Sequence, residues 1–355
     1  MTPLERLPAQ LLPWYEKNRR DLPWRQDRDP YHVWLSEIML QQTRVEAVIG
    51  YYRRFLETLP TIEALANADE ETLLKLWEGL GYYNRARNLQ KAAQVILTEQ
   101  GGVFPDTFDA IRALPGIGPY TAGAIGSICF DLPTPAVDGN VLRVYTRYLE
   151  DGANIDKQQT KSAVADALFP LYQSGHCGAL TQALMELGAC VCLPNGTPLC
   201  ADCPLQKNCL AYRHDSWAQF PVRDPKKARK ILFKTVLILR CGDRYAVRKR
   251  GKTGLLASLW EFPNVDVPPT NQSDPDKAAQ HALQLAADYG AGPTDLLLQT
   301  GYTHIFTHVE WHMTGYLILC RKTPDAFLWV TKEQLETEYA LPSAFRPFWE
   351  LANES

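Results

Sequence analysis

Long apolar runs are missing from this sequence. No stretch of its 355 residues approaches the ~20 consecutive apolar positions that a membrane-spanning helix needs, so no membrane partner is expected. The start, MTPLERLPAQLLPWYEKNRR, has neither a long apolar core nor a small-residue cleavage site, and it reads as no secretory signal. The chain is therefore expected to be cytoplasmic. A basic excess is also absent. The formal net charge is -3, and neither the first 228 residues nor the remainder is globally basic. That excludes a surface coated in positive charge, but a single basic groove can coexist with an acidic remainder. Internal repeats and low-complexity tracts are lacking too, which excludes a solenoid.

What is present falls into two textures. The length suits two or three domains with a sizeable core. From residue 29 to about Cys209, apolar residues recur at helical spacing, and several segments end at glycine. "DPYHVWLSEIML" opens with Asp29 as a cap and Pro30 in the first turn. After Cys209, "AYRHDSWAQFPVRDPKKARK" is polar and proline-bearing, as a linker would be. Beyond it, "ILFKTVLILRCGDRYAVRKR" is rich in branched and aromatic residues about a Gly-Asp turn and predicts a β-hairpin. "HMTGYLILCRK" predicts a further strand, and "DKAAQHALQLAADYG" a helix between them. The expected fold is multidomain α and α+β. An all-α domain spans 1–215, a linker 216–229, and a small α+β domain 230–355.

"LPGIGPYTAGAI" places Gly116 and Gly118 between two predicted helices. Glycines here open backbone angles closed to other residues and expose bare N–H groups. At the start of the second helix such groups can hold a phosphate. A plain helix–helix turn is the simpler reading, although one glycine usually serves it. The doublet between prolines favours a helix-hairpin-helix gripping a nucleic-acid backbone without sequence preference.

Two carboxyl groups invite a functional reading. Glu37 of "VWLSEIMLQQT" has Trp34, Leu40 and Gln41 one turn away. If buried there, its pKa rises and it suits a general acid; it can equally mark the polar edge of an amphipathic helix. Asp138 of "TPAVDGNVLRV" stands beside Gly139 and Asn140. It reads either as a helix cap or as a carboxylate aimed into a cleft and kept ionised by helix N-terminal amides. Cleaving a glycosidic bond needs two carboxyls with opposite protonation demands: one protonates the leaving group, the other stabilises a cationic sugar.

Nine cysteines are present. Five (Cys129, Cys177, Cys190, Cys241 and Cys320) are scattered among apolar neighbours, as small buried residues are. The other four form Cys192-x7-Cys200-x2-Cys203-x5-Cys209. Four thiolates so bunched are a metal site more often than a disulfide framework inside cells. Zinc is the usual occupant, but zinc sites tend to pair two C-x2-C knuckles and only one is present. The uneven spacing suits an iron–sulfur cluster as well, and spacing alone leaves both open.

"LPGIGPYTAGAI", the aspartate of "VDGNV", "WLSEIMLQQT", "GLGYYNRARNL" and the four-cysteine loop occur here together over residues 14–215. In this combination and order the chain resembles the endonuclease III superfamily of helix-hairpin-helix DNA glycosylases, and within it the MutY-type adenine branch. The resemblance implies base excision repair: a flipped adenine is removed from double-stranded DNA containing 8-oxoguanine:adenine or G:A mispairs. It implies that Glu37 protonates adenine N7 and later activates water, and that Asp138 stabilises or traps the sugar cation. Tyr120 and Asn140 would steady the sugar and Asp138, and Trp24, Arg25 and Gln182 would line the base pocket. Tyr82 would wedge beside 8-oxoguanine, with Gln42 and Thr43 nearby, although Tyr82 can also be read as a core aromatic. Bifunctional members carry G-x-K-T-A where this chain has Gly118-Pro119-Tyr120-Thr121-Ala122. Tyrosine offers no amine for a Schiff base, so a monofunctional enzyme is implied. The four cysteines, Cys192, Cys200, Cys203 and Cys209, would hold one structural 4Fe-4S cluster. The first spacing is one residue longer than the family's usual x6, and "LPNGTPL" between Cys192 and Cys200 has no basic residue.

The C-terminal part is similar to the Nudix-like domain of the same branch through "GLLASLWEFPNV". No R-E-x-x-E-E box follows, which speaks against nucleotide hydrolysis. Phe306-Thr307-His308 in "YTHIFTHVEWH" resembles the branch's Phe-Ser-His loop that reads 8-oxoguanine. Read without the resemblance, these are ordinary strand residues, and His304, His308 and His312 fall four apart by accident. A monomer associated with the nucleoid is expected. The alternatives are a thymine-mismatch or pyrimidine glycosylase of the same superfamily, which normally lacks the C-terminal domain, and a non-catalytic binder of damaged DNA.

Overall fold

The computed structural model describes residues 2–173, 175–225, 227–269 and 274–353. The chain divides into two compact units, residues 1–67 with 87–225, and residues 68–86 with 226–355. Among the described residues, no helix is long and apolar enough to cross a membrane.

The first unit is helical. It begins with α1 (Leu7–Asn18), α2 (Pro30–Leu40), α3 (Val45–Thr58) and α4 (Ile62–Asn67). The chain then enters the second unit, which holds α5 (Glu70–Leu76), and returns along α6 (Asn84–Glu99). It continues through α7 (Phe108–Ala113), α8 (Pro119–Phe130), α9 (Gly139–Leu149), α10 (Gln158–Tyr172), α11 (Cys177–Cys190) and the short α12 (Leu210–Arg213). Asp29 caps α2 as expected, accepting the Tyr31 N–H, with Pro30 in the first turn. Residues 33–39 of α2 are all buried, so this helix is enclosed rather than amphipathic. Leu7, Leu11 and Tyr15 of α1 share one core with Val141 and Val144 of α9 and Leu180, Leu184 and Leu187 of α11.

The predicted hairpin forms between α7 and α8. Gly116 has φ +77°, and a Cβ there would fall 2.6 Å from Asn88 Cβ. Both the turn and the close approach therefore require glycine. Gly118 differs from the expectation. It is the N-cap of α8 at φ -93°, an angle open to any residue, and a Cβ there would meet open space.

The stretch expected as a linker, 216–229, is fastened to the helical unit over its first part. Arg147 Nε donates to the carbonyls of Trp217 and Phe220, and the Ile155 N–H donates to Val222 O. Lys226 lies outside the described residues, and the first strand starts at Lys230.

The second unit is a mixed seven-stranded sheet with helices on it. Its strands are β1 (Lys230–Cys241), β2 (Arg244–Lys249), β3 (Trp260–Glu261), β4 (Asn264–Val267), β5 (Pro293–Ile305), β6 (Val309–Cys320) and β7 (Leu328–Thr331). The order is β3-β2-β1-β6-β5, with β4 on β1 and β7 on β2. β1 and β2 form the predicted hairpin, with Arg240 opposite Tyr245. β1 reads as one apolar run because both its faces are covered. Val236 and Ile238 pack with Phe348 and Trp349 of α15 (Arg346–Asn353), while Leu237 and Leu239 pack with Ala282 and Ala286 of α13 (Pro275–Asp288). A further helix, α14 (Lys332–Thr337), follows β7 behind a full capping box at Thr331.

Residues 68–86 join this second unit, although their helical texture placed them in the expected 1–215 domain. Side chains of α5 and the turn after it make the tie. Glu71 accepts from Trp260 Nε1 at 2.9 Å and from Lys249 Nζ. Lys75 Nζ donates to the carbonyls of Leu335 and Tyr339, and the Leu341 N–H donates to Glu78.

Candidate active site

A cleft of about 1380 Å³ opens in the helical unit. The segment before α2 brings Trp24 and Arg25 to it, and α2 with its following turn brings Glu37, Gln42 and Thr43. The hairpin brings Gly116, Gly118 and Tyr120, the start of α9 brings Asp138 and Asn140, and α11 brings Gln182. Apart from the cysteines and Tyr82, every candidate that the sequence placed in the helical part thus lines one cleft.

Glu37 is 7% exposed and accepts a hydrogen bond from the Tyr120 hydroxyl. Burial pushes its carboxyl up to about 7, with the nearby Asp138 charge adding to the rise; the Tyr120 bond and Arg25 oppose it. Burial also pushes the Tyr120 hydroxyl well up, so it is a neutral donor. Asp138 caps α9. Its Oδ1 accepts the Val141 N–H at 2.7 Å, and its Oδ2 accepts Asn140 Nδ2 at 2.8 Å. The sequence reading had helix amides keeping this carboxyl ionised. Burial is the larger effect and lifts it above its ordinary value, while the Val141 and Asn140 bonds and Arg143 pull the other way. Asn140 is itself fixed from the far side, accepting from Arg143 Nη2 at 2.8 Å.

Gln182 accepts the Tyr15 hydroxyl at 3.0 Å, which holds the side chain through its carbonyl oxygen. Trp24 is buried edge-on against Tyr52.

Sequence reasoning missed Glu186, an acid in the apolar helix α11 just as Glu37 is in α2. It is 1% exposed and receives Arg20 Nε, Arg20 Nη2 and Arg25 Nη2, each at 2.8 Å, and the Arg20 N–H at 2.9 Å. Burial raises this carboxyl, but the two arginines outweigh burial and take it down to about 2. An acid within an apolar helix was a usable signal for both residues. Which of them holds a proton was not readable, because the arginines come from 160 or more residues away in sequence.

Cys192, Cys200, Cys203 and Cys209 line a second, small pocket with Arg147 and Trp217. Arg147 Nη1 lies 3.4 Å from Cys192 Sγ, and Arg143 Nε donates to the Cys192 carbonyl at 2.7 Å. Cys203 and Cys209 each receive backbone N–H groups. Among the described residues, no three His, Cys, Asp or Glu side chains are gathered as a group that could hold one metal ion. Four thiols lining one pocket, three of them with N–H donors beside them, nevertheless fit a group that takes four thiolates.

In the second unit, Phe306, Thr307 and His308 form the β5–β6 turn, closed by the Phe306 N–H to Val309 O. Thr307 and His308 are exposed, while Phe306 packs on Trp311 and His304. The Thr307 hydroxyl is 2.6 Å from the Tyr82 hydroxyl. Tyr82 is 49% exposed at φ +47°, whereas its neighbour Tyr83 is buried, so Tyr83 takes the core role. His304 and His312 lie on neighbouring strands, and His312 pairs with Glu310, so the four-residue spacing of the histidines gathers no ligand set.

A helix-hairpin-helix facing a buried carboxyl pair is the build of a base-excision DNA glycosylase. Accordingly, residues 35–169 match the HhH-GPD superfamily of base excision DNA repair proteins, and residues 235–351 match the NUDIX domain. The chain belongs to the adenine DNA glycosylase family. It is 35% identical to the adenine DNA glycosylase of Mus musculus over 388 residues, covering 92% of this chain and 74% of that one. Among solved structures, a thermostable thymine-DNA glycosylase is 29% identical with a TM-score of 0.55, over 60% of this chain and 97% of that one. A trapped endonuclease III–DNA covalent intermediate shares the fold at 23% identity, with a TM-score of 0.51 over 61% and 99% of the two chains.

Proposed function

We propose that this chain excises adenine mispaired with 8-oxoguanine or guanine in double-stranded DNA, cutting the N-glycosidic bond and leaving the backbone whole. The observation that carries this reading is the unequal carboxyl pair. Glu37 is buried with one hydroxyl donor, and burial pushes its carboxyl up to about 7, so it can hold a proton for adenine N7. Asp138 has an amide N–H and the Asn140 side chain to support its charge, as stabilising or trapping a sugar cation requires. Glu37, once ionised, is then the base for the attacking water. Tyr120 holds Glu37 and supplies no amine, which leaves strand cleavage without a nucleophile.

Trp24, Arg25 and Gln182 would enclose the flipped base, and Gly116 and Gly118 the DNA backbone. Gln42 and Thr43 would stand near the lesion strand. In the second unit, Tyr82 and the Phe306-Thr307-His308 turn would meet 8-oxoguanine, their two hydroxyls already bonded to each other. Cys192, Cys200, Cys203 and Cys209 would hold one 4Fe-4S cluster. When bound, it supplies a cross-link between the end of α11 and the segment around α12 rather than reaction chemistry. Iron and inorganic sulfide in equal amounts, four of each per chain, is the expected analysis.

The test is a single-turnover assay on duplexes carrying 8-oxoguanine:A, G:A, G:T or thymine glycol, with strand breaks scored before and after alkali. Adenine loss fastest opposite 8-oxoguanine, with breaks only after alkali, is expected. Breaks without alkali, or a preference for G:T or thymine glycol, would overturn the reading.

A further inference from the structure

Glu186 is the most heavily bonded acid in the cleft wall, yet no step of the proposed reaction uses it. It receives four hydrogen bonds from Arg20 and Arg25 in a place closed to water. Arg25 is further pinned by donating Nη1 to Arg20 O at 3.1 Å, and its guanidinium lies 5.7 Å from the Tyr15 ring centroid. The Tyr15 hydroxyl in turn holds Gln182. One carboxylate thus fixes a cation, an aromatic ring and an amide along the same wall of the cleft.

We infer that Glu186 is a positioning residue that acts on Glu37 through Arg25: it clamps the guanidinium and compensates its charge, so that Glu37 remains able to hold a proton. The inference rests on the reading of Glu37 as the acid. The charged and titratable groups around Glu37 are few. Tyr120 reaches it from α8, Asp138 from the start of α9 and Arg25 from the segment before α2, and Cys129 of α8 is within its electrostatic reach. Arg25 is the one cation in that set, and it already works against protonation. Around Glu186 stand Arg20, Arg25, Tyr15 and Cys190. Neutralising Glu186 removes the carboxylate bonded to both arginines, leaving Glu46 acting on Arg20, and frees Arg25 to turn toward the remaining anionic groups of the cleft, Glu37 and Asp138. A positive charge brought nearer a carboxyl favours its ionised form.

The experiment is a direct titration of Glu37 by carbon-13 NMR in full-length protein labelled on glutamate. Its signal is identified by its loss in Glu37→Gln. In Glu186→Gln, Glu37 is expected to titrate lower than in wild type by roughly one unit, and Glu186→Asp is expected to restore most of that shift. In Arg25→Gln the titration should move up, and adding Glu186→Gln to Arg25→Gln should change it no further. An unchanged Glu37 titration in Glu186→Gln, with only the melting temperature lowered, would make Glu186 a structural tie and overturn the inference. Should Glu186→Gln alone not fold, the comparison of Arg25→Gln with the double variant decides. Equal titrations support action through Arg25, and a further fall in the double variant refutes it. None of these readouts depends on turnover. Failure of the acid assignment shows separately, as retained excision by Glu37→Gln.

Discussion

Glu37 has conflicting demands on it. The proposed reaction needs a carboxyl that can hold a proton near neutral pH, and burial raises this one by penalising its charge. The consequence for stability has a definite sign. With its carboxyl raised from 4.5 to about 7, the folded state binds more protons than the unfolded chain between those values. Its contribution to stability is therefore present at low pH and is lost as pH rises through that window. Glu37→Gln should remove the drop, melting above the wild type at pH 8 while losing excision by about 100-fold or more, as calorimetry and the single-turnover assay would show. The wild-type excision rate should fall as pH rises past about 7. Tyr120→Phe removes the bond that favours the ionised form, so the falling limb of that profile should move to higher pH. A limb left in place would mean that the hydroxyl serves the sugar and not the acid.

At the scale of elements, the close meeting of α9 and α11 sets the site. A Cβ on Gly188 of α11 would lie 2.5 Å from Asn140 Cβ and 3.0 Å from its Cα. Gly188 thus seats α11 directly against the residue that bonds Asp138. Gly188→Ala should push the two helices apart, costing about 1–3 kcal/mol in urea unfolding. Excision should fall more than DNA affinity does, because Asn140 is displaced while the hairpin between α7 and α8 is not. That hairpin depends on Gly116 alone for its unusual backbone angle.

For the whole molecule, the proposed reading puts lesion recognition and chemistry in different units of the chain. The carboxyl pair belongs to the helical unit, whereas Tyr82 and the Phe306-Thr307-His308 turn belong to the sheet unit. Residues 68–86 make this division possible, because they carry Tyr82 into the sheet unit and bond its hydroxyl to Thr307. Thr307→Val keeps the side chain's shape and removes that hydroxyl. It should lower the preference for 8-oxoguanine:A over G:A while leaving the G:A rate near wild type. Equal losses on both substrates would place Thr307 outside lesion reading.

By itself, the sequence determined the two textures of the chain, the hairpin and the β1–β2 turn, while most of the side chains that gather in the cleft were legible only through the family resemblance. The textures and turns rest on local rules: helical or alternating periodicity, a cap at Asp29, or a glycine that a turn demands at Gly116. Only the tertiary structure decided which acid keeps its proton. Glu37 and Glu186 have the same kind of local surroundings, but two arginines distant in sequence reach Glu186, while Glu37 meets a tyrosine hydroxyl. Tertiary contacts also decided that residues 68–86 leave the helical unit, since the Trp260, Leu335 and Leu341 partners that claim them lie more than 180 residues further on. Spacing of apolar residues reports which face of an element is buried. It carries no record of which distant charge or carbonyl that face will meet.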